Sequence, residues 1–444
     1  MVENNNTRNR QRCSNQNYIS RRDALRALGT SAIIGLAGCA QQGGNEGNNS
    51  SNGAQTSQGS IEVTIGNIQP TSGVAGAYGQ EINNAVRLAA DQAMNAGEVD
   101  NVELLFGDSQ YDPATARKLA TEQLSDGADV IHGALSSAGT VAVSAIAERE
   151  NVPQVGRSGE LTLDLRKCRS TTFAYSPSIP GWTANGVGYC LNNDLGNSVY
   201  TIGYDYNWPQ DTVTYLKNKL LPEMGAENAG VSLLQLGSSD FSGPLTEAKN
   251  TGADIINLNM TGSGFLTAYS QANELGLLDE NVVITNGGGN STLAKNLSEE
   301  LRTYENLYLG LEWHRTIGSE GAEQFAQEFQ SRYGKVPQVS AVSYAGVRTL
   351  LEAIGDAGTT DTGAVVSALE NRELTPQIWG TGESWRGCDH RFKIPAITAT
   401  GLPDDADNAL EVVNINDNYD QLTVDCGNTI CQSDNGPEWF EQAQ

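Results

Sequence analysis

The chain has 444 residues, which is enough for two or three domains that each bury a core of their own. Six of its 27 basic and two of its 53 acidic residues lie before residue 40, so the remainder carries a net charge of −30. Such an acidic surface repels nucleic acid and anionic lipid headgroups, and neither is an expected partner.

Lysine is scarce in this acidic chain, with eight residues against nineteen arginines. Together with a modest apolar fraction of 38%, this composition resembles that of proteins from extreme halophiles, and it predicts a haloarchaeal source. At ~1 M salt the Debye length is only about 3 Å, so the net charge cannot steer a ligand over any distance. The charge therefore indicates habitat and does not identify a ligand.

The N-terminus has the pattern of a secretion signal. Arg21 and Arg22 precede a short apolar stretch that ends with Leu36-Ala37-Gly38-Cys39. Because a membrane-spanning helix needs ~20 apolar residues, we expect this shorter stretch to be cleaved. Residues 1–39 resemble a twin-arginine signal fused to a lipobox, which implies export of a folded protein and lipidation of Cys39. The alternative is a basic tail followed by a buried helix.

Residues 40–60 are rich in Gln, Gly, Asn and Ser, which is the composition of a flexible linker. With a scaling of ~5–6 Å × √n, such a linker separates an anchor from a folded domain by roughly 25 Å on average. No later segment of the sequence approaches membrane-spanning length. We therefore expect the folded part at the extracellular face of the membrane, held there by the lipid.

From residue 61 onward, short apolar runs alternate with helical patterns. The predicted strands are Ile61–Ile68, Val102–Gly107, Asp129–His132, Val152–Val155, Val199–Gly203, Val231–Gln235, Asp254–Leu258 and Val282–Thr285. The predicted helices are Gln80–Asn95, Pro113–Ser125, Ser137–Glu150, Gln210–Met224, Gly243–Thr251, Gly264–Leu275, Leu293–Leu301, Ser319–Tyr333, Ala341–Ala357 and Asp361–Glu370.

Repeated β-α units of this spacing imply parallel sheets with right-handed crossovers and helices on both faces. We therefore predict an α/β fold of two doubly wound parallel-sheet lobes, joined by a hinge, with a ligand cleft between them. The predicted lobe 1 comprises residues 61–176 and 310–376, and lobe 2 comprises 177–309 and 377–420. Residues 421–444 form a C-terminal tail.

Open doubly wound sheets bind ligands beyond the carboxyl ends of their strands. This rule selects five segments: Thr71–Gln80, Ala134–Thr140, Gly156–Glu160, Tyr204–Trp208 and Asn259–Gly264. Their hydroxyl groups, glycine backbone and aromatic rings suit a small polar ligand.

Ser136 and Ser137 begin a predicted helix, whose N-terminus offers unpaired N–H groups and a partial positive charge. A ligand carboxylate or carbonyl would suit this position, although a serine there can equally be an ordinary helix cap. Arg157 follows the neighbouring strand and can form a bidentate pair with a carboxylate. The alternative is that Arg157 pairs with Glu160 or with solvent at the rim of the cleft.

The segment Tyr204–Trp208 places three aromatic rings at a strand exit, which predicts a binding face, although we expect Tyr204 to pack on the following helix.

His132, His314 and His390 lie on separate predicted elements without the spacing of a metal site or a catalytic triad. We therefore predict a protein that is not an enzyme and needs no cofactor or metal.

Five cysteines remain beyond the signal segment: Cys168, Cys190, Cys388, Cys426 and Cys431. An exported protein is expected to form disulfides, and the odd count leaves one cysteine unpaired. The sequence does not fix the pairing.

Several motifs, taken in order and spacing, resemble the branched-chain amino-acid and amide-binding family of ABC importer receptors, which have the type I periplasmic-binding-protein fold. The resemblance runs from about Ile61 to Val413. Its motifs are Thr71-Ser72-Gly73, Ala77-Tyr78-Gly79, Asp108 with Tyr111–Ala116, Gly133–Ser137, Val152–Val155, Tyr204–Trp208 and Cys388-Asp389-His390. The resemblance implies a solute-binding protein with ABC importer permease subunits as partners.

The resemblance also implies site roles at matching positions. Ser137 matches the serine that holds a ligand carboxylate, and Ser158 and Gly159 match the loop that completes this anchor. Trp208, or Tyr206 beside it, matches an aromatic residue of the second lobe that closes over the ligand. The full set of candidate ligand-binding residues is Tyr78, Ser136, Ser137, Arg157, Ser158, Gly159, Tyr206, Trp208, Thr261, Ser263 and Asn286.

One position departs from the family pattern. Amino-acid binders of the family place a carboxylate after the strand that matches Val282–Thr285, whereas this sequence has Asn286 followed by three glycines. The nearest acids of the predicted cleft are Asp205 and Glu160. The expected ligand is therefore a small carboxylate, an amide, or an amino acid.

A ligand-binding sensor that signals to a membrane transducer is an alternative function. A secreted hydrolase is another, but the sequence has no nucleophile elbow such as Gly-x-Ser-x-Gly, which a hydrolase on this scaffold would need.

Overall fold

The computed structural model describes residues 60–260, 262–403, 409–433 and 436–441. The signal segment 1–39 and the linker up to residue 59 lie outside these ranges, as does Cys39. Within the described ranges no helix is long and apolar enough to cross a membrane.

The structure alternates strands and helices along most of the chain. The strands β1 to β12 are Glu62–Gln69, Asn101–Asp108, Val130–Gly133, Gln154–Gly156, Thr172–Ala174, Ser198–Tyr204, Glu227–Leu234, Ile255–Asn259, Val283–Asn286, Leu307–Leu311, Ala396–Gly401 and Leu410–Asn416. The helices α1 to α16 are Gly76–Ala96, Pro113–Ser125, Ser137–Glu150, Ile179–Thr183, Tyr189–Asn192, Asn207–Tyr215, Leu221–Met224, Ser242–Thr251, Ser263–Glu274, Ser291–Lys295, Glu299–Arg302, Glu320–Tyr333, Ala341–Ala357, Thr362–Leu369, Tyr419–Leu422 and Glu438–Glu441. Short 3₁₀ turns are Gly73–Ala75, Leu278–Glu280 and Cys426–Asn428, and π-helical turns are Thr162–Arg166, Ala184–Gly188 and Leu216–Leu220.

Two sheets confirm the predicted two-lobed α/β fold. The five-stranded sheet of lobe 1 has the order β2-β1-β3-β4-β5, and all of its neighbouring strands are parallel. The seven-stranded sheet of lobe 2 has the order β12-β11-β10-β9-β8-β6-β7. Its strands β6 to β10 are parallel, whereas β11 and β12 pair antiparallel at one edge.

The sequence predicted the parallel core of this fold because its strands and helices carry strong local signals. Helix α2 has the predicted bounds, since Pro113 occupies the first turn and the Asp112 carboxylate accepts a hydrogen bond from Thr115 N at 2.7 Å. The strands β5, β10, β11 and β12 were not predicted. The predicted helix Leu293–Leu301 is divided into α10 and α11.

The chain crosses between the two lobes after β5, after β10 and after α14. Helix α13 packs on α1 in lobe 1, so the chain returns from lobe 2 to cover the first sheet. Near the last crossing, Ala174 of β5 pairs with Arg391, and the ring of Phe173 stacks on His390 with centroids 4.0 Å apart. The lobe boundaries predicted at residues 310 and 377 stay predictions.

Two disulfides fasten the C-terminal tail. Cys168 bonds to Cys431, and Cys388 bonds to Cys426, while Cys190 is free and buried. The tail contacts both lobes, because Cys431 is bonded to Cys168 of lobe 1 and the ring of Trp439 packs edge-on against Tyr215 of lobe 2. The sequence did not determine this pairing. The two bonds attach the tail to Cys168, which precedes β5, and to Cys388, which lies between α14 and β11.

Candidate functional site

A cavity of about 210 Å³ lies between the lobes, at the carboxyl ends of strands from both sheets. On the lobe 1 side it is lined by Tyr78 after β1, Tyr111 after β2 and Arg157 after β4. Residues after β6 to β10 line the lobe 2 side: Tyr206, Ser239, Ser263, Asn290 and Glu312. This placement is the one that parallel α/β sheets favour for a ligand.

A second, smaller cavity of about 40 Å³ adjoins the first. Ser137, Gly159, Ser176 and Trp208 line only this cavity, whereas Trp182 lines both. Arg157 and Tyr206 are also shared between them. The two cavities together therefore form a larger chamber with a narrow end.

An ion pair between Arg157 and Glu312 lies in the lining of the chamber. Arg157 Nε donates to Glu312 Oε1 at 3.0 Å, and Nη2 lies 2.9 Å from Oε2. Burial raises the pKa of Glu312, while the guanidinium opposes this by favouring the carboxylate. The contact is bidentate, so both charges are largely satisfied by each other.

The walls of the chamber are aromatic. Tyr78, Tyr111 and Tyr206 line it, and burial raises the pKa of each phenol above its usual value of 10.0. These hydroxyl groups therefore stay neutral at physiological pH and can donate or accept hydrogen bonds. Asn290, which also lines the larger cavity, hydrogen-bonds to the Tyr78 side chain.

The two serines at the start of α3 have different environments. Ser136 is the helix cap, because its Oγ accepts a hydrogen bond from Gly139 N at 3.1 Å. Ser137 lines the small cavity, and its Oγ accepts from Gly159 N at 3.3 Å. The hydroxyl proton of Ser137 is left for a further acceptor.

Two other candidate residues lie away from the cavity lining, and a third is outside the described residues. Ser158 is fully buried, and its Oγ donates to Glu160 Oε1 at 2.8 Å. Asn286 is also fully buried; its Nδ2 donates to Leu258 O at 2.7 Å, and its Oδ1 accepts from Gly288 N at 2.6 Å. Thr261 lies outside the described residues.

Several lining residues were missed by sequence reasoning. Glu312 and Trp313 follow β10, and Trp182 follows β5, so they were missed along with those strands. Had the two strands been recognised, the strand-exit rule would have selected these positions as well. The structure thus places a carboxylate after β10. The family pattern has its acid after the neighbouring strand in the sheet, which corresponds to β9.

His132 lies in a buried hydrogen-bond network within lobe 1. His132 Nδ1 lies 2.6 Å from Asn67 Oδ1, and Nε2 lies 2.6 Å from Tyr175 Oη. Burial lowers the pKa of His132 to about 3, so its ring is neutral. Over the described ranges, no cluster of His, Cys, Asp and Glu has the arrangement of a metal site.

Two α/β lobes with a ligand-sized cleft at facing strand exits define the class of bilobal solute-binding proteins, with the type I periplasmic-binding-protein fold. The family model described as periplasmic binding protein matches residues 62–402, and the chain belongs to this family.

Several solute-binding proteins are similar to this chain at low sequence identity. Leu/Ile/Val-binding protein homolog 8 of Brucella abortus is 22% identical over 334 residues, which cover 70% of this chain and 81% of the relative. An amino acid ABC transporter substrate-binding protein of Pseudomonas fluorescens superposes with a TM-score of 0.73 at 22% identity, covering 81% of this chain and 96% of that one. A solute-binding protein from Rhodopseudomonas palustris in complex with 3,4-dihydroxybenzoic acid gives a TM-score of 0.70 at 16% identity, covering 80% and 97%. These relatives are solute-binding proteins, which agrees with the expectation of a non-enzyme.

Proposed function

We propose that the chain is an extracytoplasmic, lipid-anchored solute-binding protein that captures a small polar metabolite and delivers it to an ABC importer permease. The observation that carries this proposal is the interlobe chamber, which is lined from both lobes by hydrogen-bonding groups and aromatic rings. A ligand that contacts both lobes binds their closed arrangement more tightly than an open one. This difference in affinity sets how far the ligand shifts the population toward the closed arrangement.

The ligand class follows from the lining. Relatives include proteins named for leucine, isoleucine and valine and others solved with benzoates. The chamber has aromatic walls and one ion pair whose two charges offset each other. Such a lining suits a molecule about as large as leucine or benzoate, such as an amino acid, an amide or a small carboxylate.

The proposed function is tested by identifying what the protein carries. Mass spectrometry of compounds released from the purified protein is expected to find one or a few small metabolites. Small-angle scattering of the stripped protein, with and without that compound, should show a smaller radius of gyration when it is bound. A protein that releases no compound and binds none of a metabolite panel would not be a transport receptor.

The lipid anchor is a separate proposal that rests on Leu36-Ala37-Gly38-Cys39. Changing Cys39 to Ser removes the thiol that would carry the lipid, so the protein should appear in the medium or remain as an unprocessed precursor. Membrane fractionation and intact-mass measurement check this. A processed Cys39→Ser protein that stays in the membrane fraction would contradict the anchor.

A further inference from the structure

The C-terminal tail is anchored to lobe 1 by a covalent bond. It begins beyond residue 402, where the match to the family model ends. Cys431 is bonded to Cys168, which lies between β4 and β5 of the first sheet. The second disulfide attaches an earlier part of the tail to the last crossing segment. The tail therefore stays beside lobe 1 whatever the arrangement of the two lobes.

The tip of the tail, which we define as Trp439 and Phe440, also contacts lobe 2. The ring of Trp439 packs edge-on against Tyr215 with centroids 5.1 Å apart, and Asn218 Nδ2 donates to Trp439 O at 3.0 Å. Both of these partners lie between β6 and β7. Phe440 is 3% exposed, and the guanidinium of Arg166, from lobe 1, lies 4.9 Å from its ring centroid. The tip therefore has one lobe on each side.

An ion pair joins the lobes directly beside this tip. Arg166 Nη2 donates to Asp211 Oδ1 at 2.6 Å, and Nη1 donates to Oδ2 at 3.0 Å. Asp211 lies on α6 of lobe 2 with its side chain 3% exposed, and its Oδ2 also accepts from Leu161 N at 2.9 Å. Arg166 and Leu161 both lie between β4 and β5 of lobe 1. Because bidentate charge-assisted bonds are strong, separating the lobes here is costly.

One apolar cluster joins the same surfaces. Its buried members include Leu161 and Leu165 of lobe 1, Trp208 and Tyr215 of lobe 2, and Val424 and Phe440 of the tail. Burial of apolar area stabilises the arrangement of the lobes that buries it. Since Trp208 also lines the smaller cavity, the cluster extends to the wall of the chamber.

We infer that the tail tip and the Arg166–Asp211 pair form an interlobe clasp that restrains the opening of the empty cleft. The inference rests on the proposed function for its meaning, because a solute-binding protein must open and close. The covalent anchor keeps the tip near lobe 2 at a high effective concentration, so the contacts re-form readily after each opening. With the clasp, a solute has to contribute less of its binding free energy to closure.

The test measures the radius of gyration of the stripped protein by small-angle scattering in molar salt. Trp439→Ala removes the ring that packs on Tyr215. Asp211→Asn keeps the size of the side chain but removes its charge, and the released Arg166, 38% exposed, can reach solvent. Each stripped variant should have a larger radius of gyration than the stripped wild type, and the double variant the largest. Circular dichroism checks that the variants are folded.

Glu98→Gln is the matched control. Arg348 Nη1 and Nη2 donate to the two oxygens of Glu98 at 2.5 and 2.6 Å, so this pair is bidentate as well. Glu98 follows α1 and Arg348 lies on α13, both in lobe 1, so the pair does not join the lobes. The melting temperature of Glu98→Gln should fall, while its radius of gyration stays at the wild-type value.

Calorimetric titration with benzoate and L-leucine extends the test to binding. For a probe that the wild type binds, affinity should fall about two- to tenfold in Trp439→Ala, the range that loss of an aromatic pair implies. Glu98→Gln should bind that probe as the wild type does. If neither probe binds, the result counts against the proposed ligand class, and the scattering comparison still decides on the clasp.

Two results would overturn the inference. One is an unchanged radius of gyration in both folded, stripped clasp variants, even if their affinity falls. The other is an equal increase in Glu98→Gln, which would assign the opening to a general loss of stability. A protein that binds no metabolite at all would refute the proposed transport function, whereas wider opening of the clasp variants alone would still support the clasp.

Discussion

Replacing Arg391 by Met is expected to lower the free energy of unfolding by about 3–5 kcal/mol, because it leaves a buried carboxylate without its partner. The side chains of Arg391 and Asp164 are 1% and 2% exposed. Arg391 Nη2 donates to Asp164 Oδ1 at 2.5 Å, and Nη1 donates to the carbonyl oxygen of Ser158. Chemical denaturation followed by tryptophan fluorescence measures the loss.

A matched exposed arginine separates burial from the mere loss of a charge. Arg332 pairs with Asp91 at the surface, with side-chain exposures of 42% and 32%, so Arg332→Met should cost less than about 1 kcal/mol. The double variant Arg391→Met with Asp164→Leu should recover part of the loss, since it removes the orphaned carboxylate. Equal effects of Arg391→Met and Arg332→Met would show that the buried pair has no special role.

Arg391→Met should also disturb the binding chamber. Arg391 holds the carbonyl of Ser158, and the next residue, Gly159, places its N–H on Ser137 Oγ and its Cα beside the Trp182 indole. A folded Arg391→Met protein is therefore expected to bind its solute more weakly, although Arg391 does not line either cavity.

The sequence predicted those parts of the fold whose signals are local. Helices α2, α3 and α13 have the predicted bounds, because caps and apolar periodicity act within a few residues. Strand β5 has three residues, Thr172–Ala174, too few for a period to be read. Strand β10, Leu307–Leu311, lies inside its sheet between β11 and β9, and its sequence shows no alternation of apolar and polar residues.

The lining of the cavity was predictable to the extent that the strands were. Tyr78, Arg157, Tyr206 and Ser263 line the larger cavity, and all follow predicted strands. The partner of Arg157 was not predictable, since Glu312 is 155 residues away in the chain and meets it only in the tertiary fold. For the same reason the pairing of Cys168 with Cys431, 263 residues apart, could not be derived from spacing.

Transfer from molar salt to ~0.1 M salt is expected to unfold the protein, which is the largest effect predicted here. The chain beyond residue 40 carries a net charge of −30. As salt falls, the Debye length grows from about 3 Å to about 10 Å, so acidic groups on neighbouring parts of the surface begin to repel one another. Because the compact state holds these charges closest together, the repulsion destabilises it relative to the unfolded chain.

Far-UV circular dichroism during stepwise dialysis measures this loss. Sucrose strengthens apolar burial without screening charge, so sucrose at low salt separates the two contributions of a concentrated salt solution. If self-repulsion dominates, sucrose should restore little of the helical signal, whereas returning the salt should restore it. A chain that keeps the same melting temperature at ~0.1 M and ~1 M salt would contradict the halophilic interpretation of its acidic surface, because screening would then contribute nothing measurable to stability.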